Sequence, residues 1–150
     1  MQNGTVLLAE DNQNYADLFV RSLRMRGFTN EVVVVGDGAE APEYLFGEGE
    51  HAGGDPAAMP QLVVLDINMP RMDGLEALGR IRDDERTRRL VVVVLSAAGS
   101  FEDVREAYRL GANAFIDKVS VPVSFLELVE RMAHFWLVLN EPPPRGKGAG

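Results

Sequence analysis

Cysteine is absent from this 150-residue chain, which excludes disulfide bonds and thiolate metal sites. Basic residues are in the minority, because 15 lysines and arginines face 23 aspartates and glutamates, giving a net charge of −8. This balance argues against a nucleic-acid binder, which would carry a basic face. The sequence also lacks any apolar run near the ~20 residues needed to cross a bilayer, and it lacks the basic segment and apolar core of a signal peptide. We therefore expect a soluble, cytoplasmic protein without nucleic-acid or membrane partners.

The composition is that of an ordinary globular domain. Apolar residues make up 46% of the chain and charged residues 25%. We expect one domain over residues 1–140, a flexible proline- and glycine-rich tail over 141–150, and no output domain. The glycine-rich stretch over 47–56 is predicted to be a surface loop, because the Gly-Lys-Ser/Thr of a phosphate-binding loop does not follow it.

Five short apolar runs, rich in valine and leucine, recur along the chain. They span residues 5–10, 31–36, 61–66, 90–96 and 114–119. Polar residues do not alternate within them, which is typical of strands buried on both faces of a parallel sheet. Because short apolar runs can also be buried helix, the segments between them decide the interpretation.

Those intervening segments have helical spacing. The first carries Ala16, Phe19, Val20 and Leu23 on one face, and Gly27 is placed to end it. Strand and helix then alternate five times, which predicts one doubly wound α/β sheet of five parallel strands with five helices.

Helix starts are indicated by pairs of polar residues with capping-box spacing. The pairs are Asp37 and Glu40, Asp73 and Glu76, and Ser100 and Asp103. Pro42 would remove an early helical hydrogen bond, so the second helix is expected to begin later or to be bent. The last helix is predicted from about Ser124 to Leu139.

Polar residues end four of the five predicted strands. They are Glu10 and Asp11, Asp66, Ser96, and Lys118. The carboxyl ends of parallel strands share one edge of the sheet, where ligands bind in doubly wound folds. We therefore expect three acids, a hydroxyl and an amine to meet at that edge.

This set of groups suits phosphoryl chemistry. Neighbouring carboxylates repel one another, and a bound cation relieves that repulsion; oxygen ligands of this kind favour Mg²⁺. A lysine and a serine supply a cation and a hydrogen-bond donor for phosphoryl oxygens, and an aspartate can itself be the nucleophile. We predict Mg²⁺-dependent phosphoryl transfer onto Asp66, because this acid ends the middle run and precedes a tight loop.

Nearly the whole chain resembles the receiver domains of two-component response regulators. The resemblance is carried, in order, by "VLLAEDN", "VVLDINMPRMDG", "VVVLSA" and "GANAFIDK". It implies a flavodoxin-like fold with strand order 2-1-3-4-5. It also implies a phosphoprotein of signal transduction that accepts a phosphoryl group from a histidine kinase or a small phosphodonor and hydrolyses it slowly. Such a protein is not an enzyme acting on a separate substrate.

The resemblance also implies roles for individual residues. Asp66 would be the phosphoacceptor and a metal ligand, Asp11 a direct Mg²⁺ ligand, and Glu10 a partner of the metal mainly through water. Asn68 would offer its backbone carbonyl to the metal.

Three further residues would respond to the phosphoryl group. Ser96 would hydrogen-bond to it, Lys118 would pair with it, and Phe115 would move inward when Ser96 is drawn to it. In most receivers proline follows the lysine directly, whereas here residues 119–121 intervene before Pro122. The conformation of that loop is therefore not predicted.

Residues 135–139 form five consecutive apolar positions, more than one buried helix face requires. This excess predicts a homodimer through the last helix and C-terminus, with an interface formed by Phe135, Trp136, Leu137 and Leu139. Alternatively, these residues complete the chain's own core or turn back as a short strand. The same ending resembles the stand-alone regulators paired with bacterial and cyanobacterial phytochromes, which implies a phytochrome histidine kinase as partner.

Three alternatives remain. A phosphohydrolase of the haloacid dehalogenase type also uses a strand-end aspartate and Mg²⁺, but it requires a second aspartate where this chain has Asn68. A pseudo-receiver scaffold and a flavodoxin-like electron carrier share the fold.

The charged run over 82–89 is expected to be a solvated helix end.

Overall fold

A computed structural model of the chain describes residues 4–48, 59–69, 71–97, 100–119, 121 and 123–144. Most of the loop predicted over 47–56, and residues 145–150 of the predicted tail, lie outside the described residues. Ser120 and Pro122, from the loop that follows Lys118, lie outside them as well.

The structure is built on a parallel sheet of five strands in the order β2-β1-β3-β4-β5. The strands are β1 (Val6–Ala9), β2 (Val32–Val35), β3 (Leu62–Leu65), β4 (Val92–Ser96) and β5 (Ala114–Asp117). All five predicted runs contain a strand, and the predicted order is confirmed.

The three central strands are fully buried, whereas the edge strands are not. Every residue of β1, β3 and β4 is buried, but β5 is half-buried throughout and β2 exposes Val34. The prediction that all five runs are buried on both faces is therefore wrong for β2 and β5. An edge strand has a neighbour on one side only, and a valine run does not reveal its place in the sheet.

Five α-helices connect and follow the strands. They are α1 (Gln13–Met25), α2 (Glu40–Phe46), α3 (Gly74–Asp83), α4 (Phe101–Arg109) and α5 (Phe125–Ala133), and a π-helical segment, His134–Leu139, continues α5. None of the helices in the described part of the chain is both long and apolar enough to span a membrane.

Two of the three predicted helix starts are present at the predicted residues. Asp73 accepts a hydrogen bond from the Glu76 N–H, and Ser100 and Asp103 form a reciprocal capping box. Asp37 accepts from the Glu40 N–H at 2.8 Å. The expectation that α2 begins later because of Pro42 is confirmed: its N-cap is Ala39 rather than Asp37, and the helix begins at Glu40. Pro42 then lies in the first turn, where backbone N–H groups have no helical partner.

Two apolar clusters fill the space on either side of the sheet. One packs β1, β3 and β4 against α1 and α5, with Phe19 and Val129 fully buried. The other packs the opposite face against α2, α3 and α4, with Leu78 and Ile81 fully buried. This two-sided cover leaves the carboxyl edge of the sheet as the place where polar strand ends meet.

The predicted extent of the last helix, from about Ser124 to Leu139, is confirmed, but its final turns are not α-helical. From His134 the turns are wider, as the bond from the Asn140 N–H to the Phe135 carbonyl shows. Leu137 is buried in the core and Trp136 packs against the same core. For Leu137 this matches the alternative that the run completes the chain's own core, and the interface role of these residues stays a prediction. Phe135 and Leu139 remain exposed.

Candidate functional site

The five polar residues predicted to meet at the sheet edge all lie at the carboxyl ends of strands. Glu10 and Asp11 follow β1, Asp66 follows β3, Ser96 is the last residue of β4, and Lys118 follows β5. Parallel pairing in register brings these ends to one edge. Glu10, Asp66, Ser96 and Lys118 are buried there, while Asp11 is exposed.

Three carboxylates form the acidic part of the site. Glu10, Asp11 and Asp66 each offer an oxygen, and these oxygens lie within 4.8 Å of one another. Burial, followed by the negative charge of Glu10, raises the pKa of Asp66 to about 6, although Lys118 opposes the shift. At neutral pH, burial and the nearby negative charge therefore destabilise the ionised form of Asp66. A bound cation would relieve this destabilisation.

Lys118 lies among these acids and is bonded to one of them. Its Nζ donates to Glu10 Oε1 at 2.6 Å, and it lies 3.8 Å from Asp66 Oδ2. The other Glu10 oxygen, Oε2, accepts from the Asn12 N–H at 3.1 Å. The ammonium thus compensates one buried negative charge and leaves the oxygens of Asp66 less engaged.

Ser96 carries a polar atom without a partner. Its Oγ is fully buried and has no hydrogen bond to any of the described residues. An unmade buried hydrogen bond costs ~1–3 kcal/mol. The Lys118 N–H donates to the Ser96 carbonyl at 2.9 Å, so the hydroxyl-bearing residue is tied to the residue that carries the ammonium. A free donor at this edge suits a ligand with acceptor oxygens.

The loop after β3 is hydrogen-bonded to Asp66 and Ile67, the two residues that follow the strand. The Asn68 N–H donates to Asp66 Oδ1 at 3.3 Å, and the Gly74 N–H donates to the Ile67 carbonyl at 2.9 Å. A Cβ on Gly74 would lie 2.1 Å from the Asp66 carbonyl oxygen, so no larger residue fits without moving the backbone of the acid. The "MDG" ending of the motif therefore fixes the position of Asp66 as well as starting α3.

Arg71, in the same loop, was not singled out from the sequence. It has φ of 64°, the left-handed region that costs a non-glycine residue ~1–3 kcal/mol. Its guanidinium donates to both oxygens of Asp37, at 2.8 and 3.0 Å, and also contacts Glu43. Arg71 therefore links the loop between β3 and α3 to the turn that precedes α2. The Asp37–Gly38 turn packs tightly against it, since a Cβ on Gly38 would lie 1.6 Å from the Met72 carbonyl oxygen.

Phe115 lies on β5, paired in register with Val94. It is half-buried and packs against the cluster that contains α4. Its N–H donates to Tyr108 Oη at 3.2 Å, which links β5 to the exposed face of α4. The inward movement implied by the resemblance would start from this half-buried position.

Asn12 and Tyr15 also belong to the site and were missed. Asn12 caps α1, and the Tyr15 ring lies 3.8 Å from Lys118 Nζ. The cap could have been found from "EDNQN", because asparagine before a helical pattern is an N-cap signal. Nothing in the sequence marks Tyr15, because its contact with Lys118 spans the sheet edge.

The residues present fit a divalent cation with oxygen ligands. Glu10, Asp11 and Asp66 supply the carboxylates, and such clusters hold Mg²⁺ together with backbone carbonyls and water. The same edge presents a cation and an unpartnered hydroxyl. A doubly wound sheet with this edge defines the receiver class of signalling domains.

Sequence similarity to known proteins supports the assignment to the receiver class. The family model of the response regulator receiver domain matches residues 6–132, and the chain therefore belongs to this family. The chain is 38% identical, over 92% of its length and 86% of the relative, to a probable methanogenesis regulatory protein, FilR2, of Methanothrix harundinacea. It is 30% identical, over 88% of both chains, to the response regulator Rcp1 of Synechocystis.

Solved structures extend the similarity to phytochrome response regulators. The phosphorylated cyanobacterial phytochrome response regulator RcpA superposes with a TM-score of 0.86 and 34% identity, covering 95% of this chain and 99% of RcpA. Mn²⁺-bound Rcp1 superposes with a TM-score of 0.84 and 28% identity, covering 93% and 99%. The predicted receiver family and its similarity to phytochrome response regulators are confirmed. As a family, receivers act in signalling rather than in metabolic catalysis.

Proposed function

We propose that this chain accepts a phosphoryl group on Asp66 and signals through the resulting change in protein binding. The observation that carries the proposal is the placement of Asp66 close to both an acidic pair and an ammonium. Its carboxylate shares a cluster with Glu10 and Asp11, and Lys118 Nζ lies 3.8 Å away. A nucleophile, a counter-charge and a cation-binding cluster therefore meet at one sheet edge.

The metal in this proposal is Mg²⁺. Asp11 and Asp66 would hold it directly, Asn68 through its backbone carbonyl, and Glu10 mainly through water. When bound, the ion supplies positive charge that offsets the carboxylates and the phosphoryl oxygens. Support comes from the spacing of the three acids and from the Mn²⁺-bound state of Rcp1, a relative whose structure covers nearly the whole chain.

In the proposed transfer step, an Asp66 oxygen attacks the phosphorus of the donor. A bond forms between that oxygen and phosphorus, and the bond from phosphorus to the donor breaks, with its electron pair leaving on the donor atom. The Ser96 hydroxyl donates a hydrogen bond to a phosphoryl oxygen, and the Lys118 ammonium pairs with another. Slow hydrolysis by water then returns free phosphate and the Asp66 carboxylate.

The proposed response to phosphorylation runs through Ser96 and Phe115. The Ser96 hydroxyl has no partner among the described residues, so a phosphoryl oxygen offers it the bond it lacks. Its movement would vacate space beside β5, and Phe115 would fill that space from its half-buried position. The surface formed by α4 and β5 would then differ between the two states.

The proposed phosphoryl source is a histidine kinase of the phytochrome type. This assignment is supported by RcpA and Rcp1, because this chain is similar to each of them along nearly their whole length. FilR2 is named for methanogenesis rather than light, so the kinase must be identified by transfer experiments. Purified phytochrome kinases would be compared with a non-phytochrome kinase, and transfer from the latter alone would contradict the phytochrome assignment.

We further propose a homodimer through the C-terminal segment. Phe135, Val138 and Leu139 are 46%, 46% and 64% exposed along one π-helical stretch. Phe135 stacks edge-on against Trp136, with ring centroids 4.8 Å apart, so part of this surface is held rigid. Contiguous exposed apolar residues of this kind mark interaction surfaces.

The test of the central proposal is incubation with acetyl phosphate and Mg²⁺, followed by intact mass measurement. Wild type should gain one phosphoryl group, Asp66→Asn none, and wild type with EDTA none. Equal gain by Asp66→Asn would exclude Asp66 as the acceptor. No gain in wild type with either acetyl phosphate or kinases would favour the unphosphorylated scaffold. Steady release of phosphate from small phosphate esters would favour the phosphohydrolase.

A further inference from the structure

The ammonium of Lys118 is covered by the ring of Tyr15. Lys118 Nζ lies 3.8 Å from the ring centroid, and the lysine side chain is 2% exposed. An ammonium within ~6 Å of an aromatic centroid, over its face, is attracted by the ring quadrupole, and the attraction grows when water is excluded. The Tyr15 ring is therefore one of the groups that stabilise a buried positive charge.

Few other groups engage that ammonium. Glu10 Oε1 accepts from it at 2.6 Å, whereas Asp66 Oδ2 at 3.8 Å lies beyond the ~3.2 Å limit of an ordinary hydrogen bond. Within the described part of the chain, Glu10 is its one hydrogen-bond acceptor. Because an ammonium carries three donors, the ring face provides attraction that hydrogen bonds do not.

The position of Tyr15 is fixed by the same residue that holds Glu10. Asn12 Oδ1 accepts from the Tyr15 N–H at 3.2 Å, and the Asn12 N–H donates to Glu10 Oε2 at 3.1 Å. The Tyr15 ring also packs against Phe125, the first residue of α5, with centroids 5.3 Å apart and planes inclined by 58°. The ring is thus held by both α1 and α5.

We propose that Tyr15 is a positioning residue for the phosphoryl transfer: its ring face holds the Lys118 ammonium at the sheet edge in readiness for the phosphoryl oxygens. The inference rests on the proposed function, because it assigns Tyr15 a part in that reaction. The phenol hydroxyl has no part in it, so phenylalanine should substitute for tyrosine and an aliphatic residue should not.

Two variants separate the ring from the hydroxyl. Tyr15→Phe should be phosphorylated by acetyl phosphate and Mg²⁺ at close to the wild-type rate. Tyr15→Leu should be slowed about fivefold, which corresponds to about 1 kcal/mol in the barrier. Urea unfolding of both variants shows that the slow variant is still folded at the assay temperature.

Graded fluorination separates the ring's charge distribution from its size. Phenylalanine with one, two and then five ring fluorines at position 15 has a progressively weaker negative face at nearly constant volume. The phosphorylation rate should fall in that order. If Tyr15 only fills space, the series will be flat, and that outcome overturns the inference.

A spectroscopic readout tests the contact without phosphorylation. Protons on the carbon next to Nζ of Lys118 should resonate upfield in wild type and Tyr15→Phe because of the ring current, and return toward ordinary values in Tyr15→Leu. Equal shifts in all three proteins would overturn the inference. If wild type shows the ring-current shift but takes up no phosphoryl group, the proposed function fails and the positioning role falls with it. A flat fluorine series on an active wild type overturns the positioning role alone.

Discussion

Lys118 is hydrogen-bonded to Glu10 at 2.6 Å, while its ammonium stays 3.8 Å from the Asp66 carboxylate. The lysine thus compensates the acidic pair and leaves the proposed phosphoacceptor with less of the positive charge. Burial, and then the negative charge of Glu10, raise the pKa of Asp66 to about 6, and the more distant Lys118 only partly opposes them. The bonding of Lys118 to Glu10 predicts different effects for the two members of the acidic pair.

Removal of one charge from Asp11 should weaken Mg²⁺ binding more than the same change at Glu10. Asp11 is exposed and free to bind the ion directly, whereas both Glu10 oxygens are hydrogen-bonded, to Lys118 and to the Asn12 N–H. Asp11→Asn should lower the affinity at least about tenfold, or ~1.4 kcal/mol, and Glu10→Gln should lower it less. Amide NMR shifts during a Mg²⁺ titration measure this, with Asp84→Asn as a remote control. The reverse order would contradict the assignment.

Replacement of Ser96 should separate stability from response. Because the buried Oγ has no partner among the described residues, Ser96→Ala should keep or raise the free energy of unfolding, by up to ~1 kcal/mol. The NMR change at Phe115 on phosphorylation should nevertheless be lost, and Ser96→Thr should retain it. Urea unfolding checks the first expectation. A clear loss of stability in Ser96→Ala would show that the hydroxyl has a structural partner.

The ion pair between Arg71 and Asp37 predicts a pH dependence. Hydrogen bonds from Arg71 outweigh burial and lower the pKa of Asp37 below its ordinary 3.8. The pair therefore stabilises the fold fully above that pH, and this contribution is lost as the pH falls through the lowered pKa. In Arg71→Gly, which also suits the positive φ, the Asp37 pKa should rise toward its ordinary value. Carbon-detected NMR titration measures the Asp37 pKa in wild type and in Arg71→Gly, and identical midpoints in the two proteins would contradict the ion pair.

The C-terminal surface predicts a variant that dissociates without unfolding. Leu139 is 64% exposed, so Leu139→Glu should leave the core intact while placing a charge in the proposed interface. Light scattering should give a dimer for wild type and a monomer for the variant, with similar unfolding midpoints. A matched exposed change on α4, Phe101→Glu, should keep the dimer. A monomeric wild type, or an unchanged mass for Leu139→Glu, would contradict the interface.

The parts of this fold that are local in sequence could be predicted from it. The strand runs, the capping residues Asp73 and Ser100, and the meeting of Glu10, Asp66 and Lys118 follow from patterns within one element or from the common direction of parallel strands. The family is confirmed, and with it the strand order. The roles of the site residues stay predictions until the experiments above are done.

Contacts between distant segments could not be predicted. Arg71 bonds to Asp37 across 34 positions of sequence. Arg82, from a run expected to be solvated, is half-buried and donates to the Gly111 and Leu90 carbonyls. The sequence does not distinguish Arg82 from the other arginines of this run, because its burial depends on contacts with residues outside the helix.

The most direct test of the central claim is to locate the phosphoryl group chemically. After incubation with acetyl phosphate and Mg²⁺, borohydride reduces an aspartyl phosphate to homoserine, and trypsin releases the peptide from Gly27 to Arg71. Fragment masses then distinguish Asp66 from Asp37 and Asp55 in the same peptide. We expect homoserine at position 66 in wild type and none in protein treated with EDTA. Homoserine at another position, or none at all with active phosphodonors, would contradict it.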